Sequence, residues 1–345
     1  LIEDFIRQSD DPELLLEYTK MVKGEIRANL ENMLYYASRR FYNETKSGRE
    51  AFATKKSEEQ QRGIHHIPTK EGMPIDVQVI ELARLNPEDF DARVRIDGVE
   101  RLRQSRAILL NIDYPLGLAA YYIFVQVTES LENIKGMYVL GKAATLNGRI
   151  GDVMVSDSVF DEHSQNTYWL NNCFTAADVA PFLVYGSVLD NQKAVTVKGT
   201  YLQNRPYLDS YYRDNYTVVE MEAGPYLNAL YEYTYPTRYP VEEHINFTKL
   251  PMDLGFLHYG SDTPYTRGKN LGAIRLAYLG MDSAYATSVA ILRRMFEMEL
   301  ASLPSETKPD DDQSIMETAS TDEAGRSTDG RRRRETEKEA ATSKT

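Results

Sequence analysis

Thr217-Val218-Val219-Glu220-Met221-Glu222-Ala223 is an apolar β-type run interrupted by two carboxylates, and a helical pattern begins near Pro225 just after it. A buried carboxylate without a partner is costly, so these acids either meet a ligand or a cation, or stand in solvent at an ordinary strand end. A strand that passes directly into a helix is also the building unit of an α/β domain.

The same alternation extends to both sides. From about Gly63 to Leu303 short β-type runs, at 106–112, 137–141, 152–160, 194–199, 217–221 and 252–259, exchange with helical periodicity that is clearest over 117–131 and 284–300. This pattern predicts helices covering a mostly parallel sheet, with ligands beyond the carboxyl ends of its strands. Before it, Asp11 and Pro12 cap a stripe of Leu15, Tyr18, Val22, Ile26, Leu30 and Met33, which predicts one long amphipathic helix; the polar run from Asn43 to Arg62 follows as a linker or exposed helix. The expected organisation is an N-terminal helical extension and linker over 1–62, an α/β domain over 63–303 and a charged tail over 304–345. The tail has almost no large apolar residue to offset its ordering entropy, so disorder is expected there.

Bulk properties narrow the chemistry. A formal net charge of -12 opposes broad binding to nucleic acid or to an acidic membrane surface. No run is apolar enough to span a bilayer, and the opening LIEDFIRQSDDPE lacks the pattern of a signal peptide, which makes a cytoplasmic protein the expectation. Cys173, the single cysteine, can form no intramolecular disulfide and is read as a packing residue. His65 and His66, adjacent in a strand, point to opposite faces and cannot readily chelate one ion.

Val219 to Ala223 resembles the VEMEA signature of purine nucleoside phosphorylases and of the methylthioadenosine/adenosylhomocysteine nucleosidases. Three further segments follow that superfamily's order. Gly141-Lys142-Ala143-Ala144-Thr145-Leu146 with Ile150-Gly151-Asp152-Val153 is similar to its GSAGGL turn and VGDIVV strand. Lys198-Gly199-Thr200-Tyr201-Leu202 falls where an aromatic residue meets the purine, and Tyr259-Gly260-Ser261-Asp262 resembles the ISD segment. The resemblance implies a three-layer α/β/α fold with a central mixed, mostly parallel sheet. It also implies a purine nucleoside or nucleotide as ligand, a homo-oligomer, and no metal or redox cofactor, inorganic phosphate being at most a co-substrate.

The roles implied by the resemblance fall on particular residues. Glu222 would accept the ribose hydroxyls, with Glu220 beside it and Met221 under the sugar; Tyr201 would stack on the base, and Ser261 would accompany Asp262. Asp262 would donate a proton to the leaving purine, which lowers the barrier because cleavage builds negative charge on that ring. Glu71, soon after the first strand, would activate water in a hydrolase, or else is a solvated loop acid. The chain departs from the pattern in its GKAATL turn and in Val139, where phosphorylases place an arginine. Loss of that arginine favours hydrolysis over phosphorolysis. Gly141 and Lys142 either face an anion, with Arg149, Arg205 and Arg267 as further candidates, or Lys142 pairs with an acid at the surface. Asn111 to Ala120, where the superfamily has its GIGKVSAA turn, would aim helix-start N–H groups at an anion. A binding protein that keeps this pocket without turnover, sensing a nucleotide, is the competing class.

Overall fold

The computed structural model describes residues 1–25, 30–67, 75–113, 115–131, 133–199, 204–264 and 278–304. The chain divides into two units, 1–303 and 304–345; the tail beyond Pro304, for which disorder was expected, lies outside the described residues.

Four helices open the first unit: α1 (Ile2–Arg7), α2 (Pro12–Val22), α3 (Leu30–Glu44) and α4 (Lys46–Gln61). The single long helix expected here is thus two. The break begins after Val22, where Gly24 takes a left-handed φ of 69° that ends a right-handed helix. Of the expected stripe, Tyr18 and Met33 join a core with Ile6, Leu14 and Ala37, and Leu30 packs against it, whereas Val22 is exposed.

Next comes a three-stranded antiparallel sheet of β1 (Ile64–Ile67), β2 (Asp76–Glu81) and β3 (Ile108–Asp113). It stands apart from the main sheet, although the runs at 64–67 and 106–112 had looked like its first strands. Their pairing through β2 gives each a partner, and the burial of all three strands is incomplete, as suits a sheet that is not sandwiched.

The main sheet follows α5 (Ala119–Ser130). Its strands are β4 (Gly136–Thr145), β5 (Val153–Asp161), β6 (Thr167–Trp169), β7 (Val188–Thr196), β8 (Tyr216–Glu220), β9 (His244–Asn246) and β10 (Asp253–Asp262). Helices α6 (Ala176–Val179), α7 (Arg205–Arg213) and α8 (Ala223–Thr234) lie between them, and α9 (Tyr278–Ser302) follows. The order is β10-β4-β8-β7-β5-β6-β9, with β10 also pairing with β5. Five strands therefore close into a ring, from which β6 and β9 leave along the far half of β5. The sheet is mixed: β4 runs parallel to β10 but antiparallel to β8, whereas β5, β7 and β8 are mutually parallel neighbours.

Helices cover both faces. On one, Phe124 of α5 and Leu227, Leu230 and Tyr231 of α8 pack on Met137, Val139, Met154 and Phe256. On the other, Ala290 and Ile291 of α9 pack on Val153, Val155, Leu257 and Tyr259. The N-terminal helices dock on the outside of α9, where buried Asn32 donates to Asp282 at 3.0 Å and the rings of Tyr35 and Tyr285 lie 5.2 Å apart.

The start of α8 tolerates no extra atom. A Cβ on Gly224 would stand 2.6 Å from three atoms of Asp161, itself fully buried and bonded to Asn228 of the same helix at 2.7 Å. Gly224→Ala is expected to cost about 1–3 kcal/mol of stability through overpacking, measured as a lowered urea midpoint with an unchanged slope.

Candidate functional site

The two acids of the β8–α8 turn have different surroundings. Glu220 is almost fully buried; its Oε2 accepts the backbone N–H groups of Glu222 and Ala223, each at 2.7 Å, and its Oε1 accepts the hydroxyl of Thr196. Thr196 in turn accepts the N–H of Gly224 at 2.8 Å. Three N–H groups that open α8 are thereby satisfied within the fold, by one carboxyl and one hydroxyl. Both oxygens of Glu220 are engaged, so of the two acids it is the one that shapes the turn.

Glu222 is half-buried, and its Oε1 accepts the N–H of Gly117 at 3.0 Å. Gly117 has a φ of 59° and precedes α5, so a backbone N–H just ahead of a helix does face an anion here, namely the carboxylate of Glu222. Met221 closes the other side of that glycine, its Cε 3.8 Å from where a Cβ would stand. Burial, and then the negative charge of Glu222, push the Glu220 carboxyl up to about 8; burial raises Glu222 as well, opposed by the N–H it accepts.

Asp262 closes β10 and is fully buried, with the Ser261 hydroxyl 3.0 Å from its Oδ2 and 3.3 Å from the carbonyl of Ala143. It also acts on Lys142. Burial lowers the affinity of that half-buried amine for its proton and so does Arg39 of α3, while Asp262 works against both. The register joins the two acid groups. Ala144 has Asp262 as its partner across β10 and Val219 as its partner across β8, which puts those backbones no more than about 10 Å apart, two strand spacings.

Gly141 and Lys142 are not in a turn. They lie within β4, paired with His258 and Tyr259, and the strand continues to Thr145. Where the GSAGGL motif has its pair of glycines, this chain has Ala144 and β-branched Thr145, which extend the ladder and move the turn to 146–150. That turn and Thr263 line a cleft of about 390 Å³ beside Asp262, and Arg149 stands in it. Arg205 begins α7 instead. Val139 is buried in the apolar core opposite Phe256. Glu71, Tyr201 and Arg267 lie outside the described residues.

Elsewhere, His65 and His66 pair with different acids, Glu81 and Glu59, each at 2.7 Å. Among the described residues no group of three His, Cys, Asp or Glu side chains could hold a metal ion, and no helix is long and apolar enough to cross a membrane. Cys173 is partly buried, and burial pushes its thiol up to about 12. The sequence reading missed Thr196, which only the pairing of β7 with β8 brings beside Glu220.

Because the fold holds a proton on Glu220 that the unfolded chain releases, stability falls as pH rises toward the folded value. Between about pH 5.5 and 7 the expected slope approaches about 1.4 kcal/mol per pH unit for one proton, and it fades as pH passes the folded value. Urea unfolding of Glu220→Gln over that range should show a flatter slope than the parent chain.

Among curated proteins no sequence matches the chain. Solved structures similar to it include the 5'-methylthioadenosine/S-adenosylhomocysteine nucleosidase from S. pneumoniae with a transition-state inhibitor, at 11% identity over 71% of this chain and 95% of that one, TM-score 0.44. Others are a methylthioadenosine phosphorylase from an antarctic soil metagenomic library (10% identity, 70% and 81% covered, TM-score 0.43) and the uridine phosphorylase from Schistosoma mansoni with thymine (13% identity, 73% and 83% covered, TM-score 0.40). The sequence profile described as Family of unknown function (DUF6909) matches residues 1–297, and the chain belongs to that family.

Proposed function

We propose that the chain cleaves the N-ribosidic bond of a purine nucleoside or nucleotide, by hydrolysis in preference to phosphorolysis. The observation that carries this reading is the shared register at Ala144, which sets the turn bearing Glu222 and the end of β10 bearing Asp262 on either side of one residue. A nucleoside is about as long as the span between them. In this scheme Glu222 receives the ribose hydroxyls, in exchange for or alongside the N–H of Gly117, and Met221 packs under the sugar.

Asp262 gives its proton to the leaving base, with the Ser261 hydroxyl fixing one carboxyl oxygen. Charge that develops on the ring is thus neutralised as the bond to ribose breaks. Lys142 and Arg149 are the cations on hand for a phosphate on the substrate. The burial of Val139 in apolar core supports hydrolysis, since the position at which phosphorylases carry arginine offers no charge for free phosphate. Tyr201 on the base and Glu71 activating water complete the scheme as proposals from the sequence resemblance alone.

A second reading, a protein that binds the same ligand without turnover, is favoured by the extension of β4 through the former glycine turn. Release of free base from a panel of purine nucleosides and nucleotides, with and without phosphate, separates the two. Turnover without phosphate supports the hydrolase, strict dependence on phosphate makes it a phosphorylase, and binding without release makes it a sensor. Absence of both binding and release removes the proposal.

Asp262→Asn is expected to lower turnover by about 10²- to 10⁴-fold with ligand binding nearly intact, the range for loss of a general acid. Steady-state kinetics beside calorimetric titration checks it, and undiminished turnover takes Asp262 out of the mechanism. Glu222→Gln should weaken adenosine by roughly tenfold to a hundredfold while leaving free adenine little changed; equal losses for both would contradict its contact with the sugar.

A further inference from the structure

The N-terminal helices meet α9 through a polar seam with a buried centre. Asn32 of α3 and Asp282 of α9 are both fully buried, and the Asn32 amide donates to Oδ1 of Asp282 at 3.0 Å. Oδ2 of Asp282 accepts the backbone N–H groups of Val184 and Tyr185, each at 2.9 Å. The side-chain oxygen of Asn32 accepts Arg93 at 2.8 Å, and Arg93 is held in turn by Asp91, to which Tyr35 of α3 also donates. An amide and a carboxylate are costly to bury, and apolar side chains would also dock α3 on α9; a directional pair, in addition, fixes which residues of the two helices meet.

From Asp282 the bonds run on to the end of β10. The next residue, Ser283, is fully buried and donates its hydroxyl to the carbonyl of Gly151. Gly151 donates its N–H to the carbonyl of Gly260 at 2.8 Å, and Gly260 returns its own N–H to the carbonyl of Asp152 at 2.8 Å. The Asp152 carboxyl braces the same turn, accepting the N–H groups of Ser187 and Arg149, each at 2.8 Å. The approach is tight: a Cβ on Gly260 would stand 2.6 Å from the carbonyl oxygen of Arg149. Asp262 follows Gly260 by two residues.

We propose that Asn32 is a positioning residue for Asp262, so that the N-terminal helices belong to the catalytic unit and not only to the shell around it. This rests on the role of proton donor given above to Asp262. Asn32 touches no reacting atom. It fixes the opening turns of α9 through Asp282; Ser283 then fixes the turn at 149–152, and that turn clamps Gly260 by both its N–H and its carbonyl. A general acid needs its oxygen within hydrogen-bond reach of the ring it protonates, and a misplacement of about 1 Å can cost on the order of a hundredfold in rate.

The test uses the full chain with adenosine as substrate. Asn32→Ala is expected to lower kcat about tenfold while KM changes less than about twofold, and to have no further effect on kcat in an Asp262→Asn background. Ser283→Ala removes a later link of the same path and should show the same split, which keeps the question decidable if Asn32→Ala folds poorly. Native-state hydrogen exchange gives a readout independent of turnover. In Asn32→Ala the amides of Gly151 and Gly260 should exchange about tenfold faster, whereas that of Val197, bonded to the carbonyl of Glu220 at 2.8 Å, should not change. An equal loss of kcat in the parent and Asp262→Asn backgrounds, or equal acceleration at all three amides, would overturn the proposal and leave the N-ribosidase reading standing. If the parent chain releases no adenine from adenosine, that reading falls first. Exchange alone then decides whether Asn32 holds the end of β10: selective acceleration at Gly151 and Gly260 supports it, and unmoved rates refute it.

Discussion

The site depends on one carboxyl being kept out of water. Glu220 gathers the first N–H groups of α8 and the hydroxyl of Thr196 at a place with almost no solvent, so the backbone on either side of Met221 has little freedom. A peptide turn between strand and helix would otherwise choose among many conformations, each aiming the next side chain elsewhere. The direction of Glu222 is a consequence of what its neighbour two residues earlier is made to do.

β4 supplies the second constraint. It is the strand shared by β10 and β8, and these run in opposite senses beside it. Because β8 overlaps only the last residues of β4, the end of one and the end of the other still lie at the same level, near Ala143 and Ala144, both fully buried. Small residues there let Ser261 approach the Ala143 carbonyl and leave room for functional groups that arrive from two distant parts of the chain.

Much of this was legible in the residues. Alternating β-type runs located β4, β5, β8 and β10 to within a few positions, because strands buried on both faces are nearly continuous in apolar residues. The approach of Glu222 to a glycine-led helix start was also foreseeable, as an anion meeting N–H groups, although the anion is the protein's own. What was not legible depends on long-range pairing. Nothing local says that the runs at 64–67 and 106–112 complete each other through β2, or that Gly141 is flat because His258 lies over it. The break at Gly24 was hidden by an apolar stripe that continues across it, and Thr196 looks like any strand residue until β7 is laid beside β8. A histidine with both nitrogens in the dry interior has no signature in a single sequence at all.

The ring formed by β10, β4, β8, β7 and β5 sets limits on movement that an open sheet would not have. An open sheet can splay or twist its halves to admit a guest between them; here any widening severs backbone bonds on more than one seam at once. Traffic of small molecules is therefore confined to the rim, where the connections after β4 and β8 emerge, and the barrel staves themselves act as a fixed frame. Speed of entry and exit becomes a property of those connections, whereas the placing of the groups that hold and act on a guest is a property of the frame, and evolution can adjust the one with little disturbance to the other.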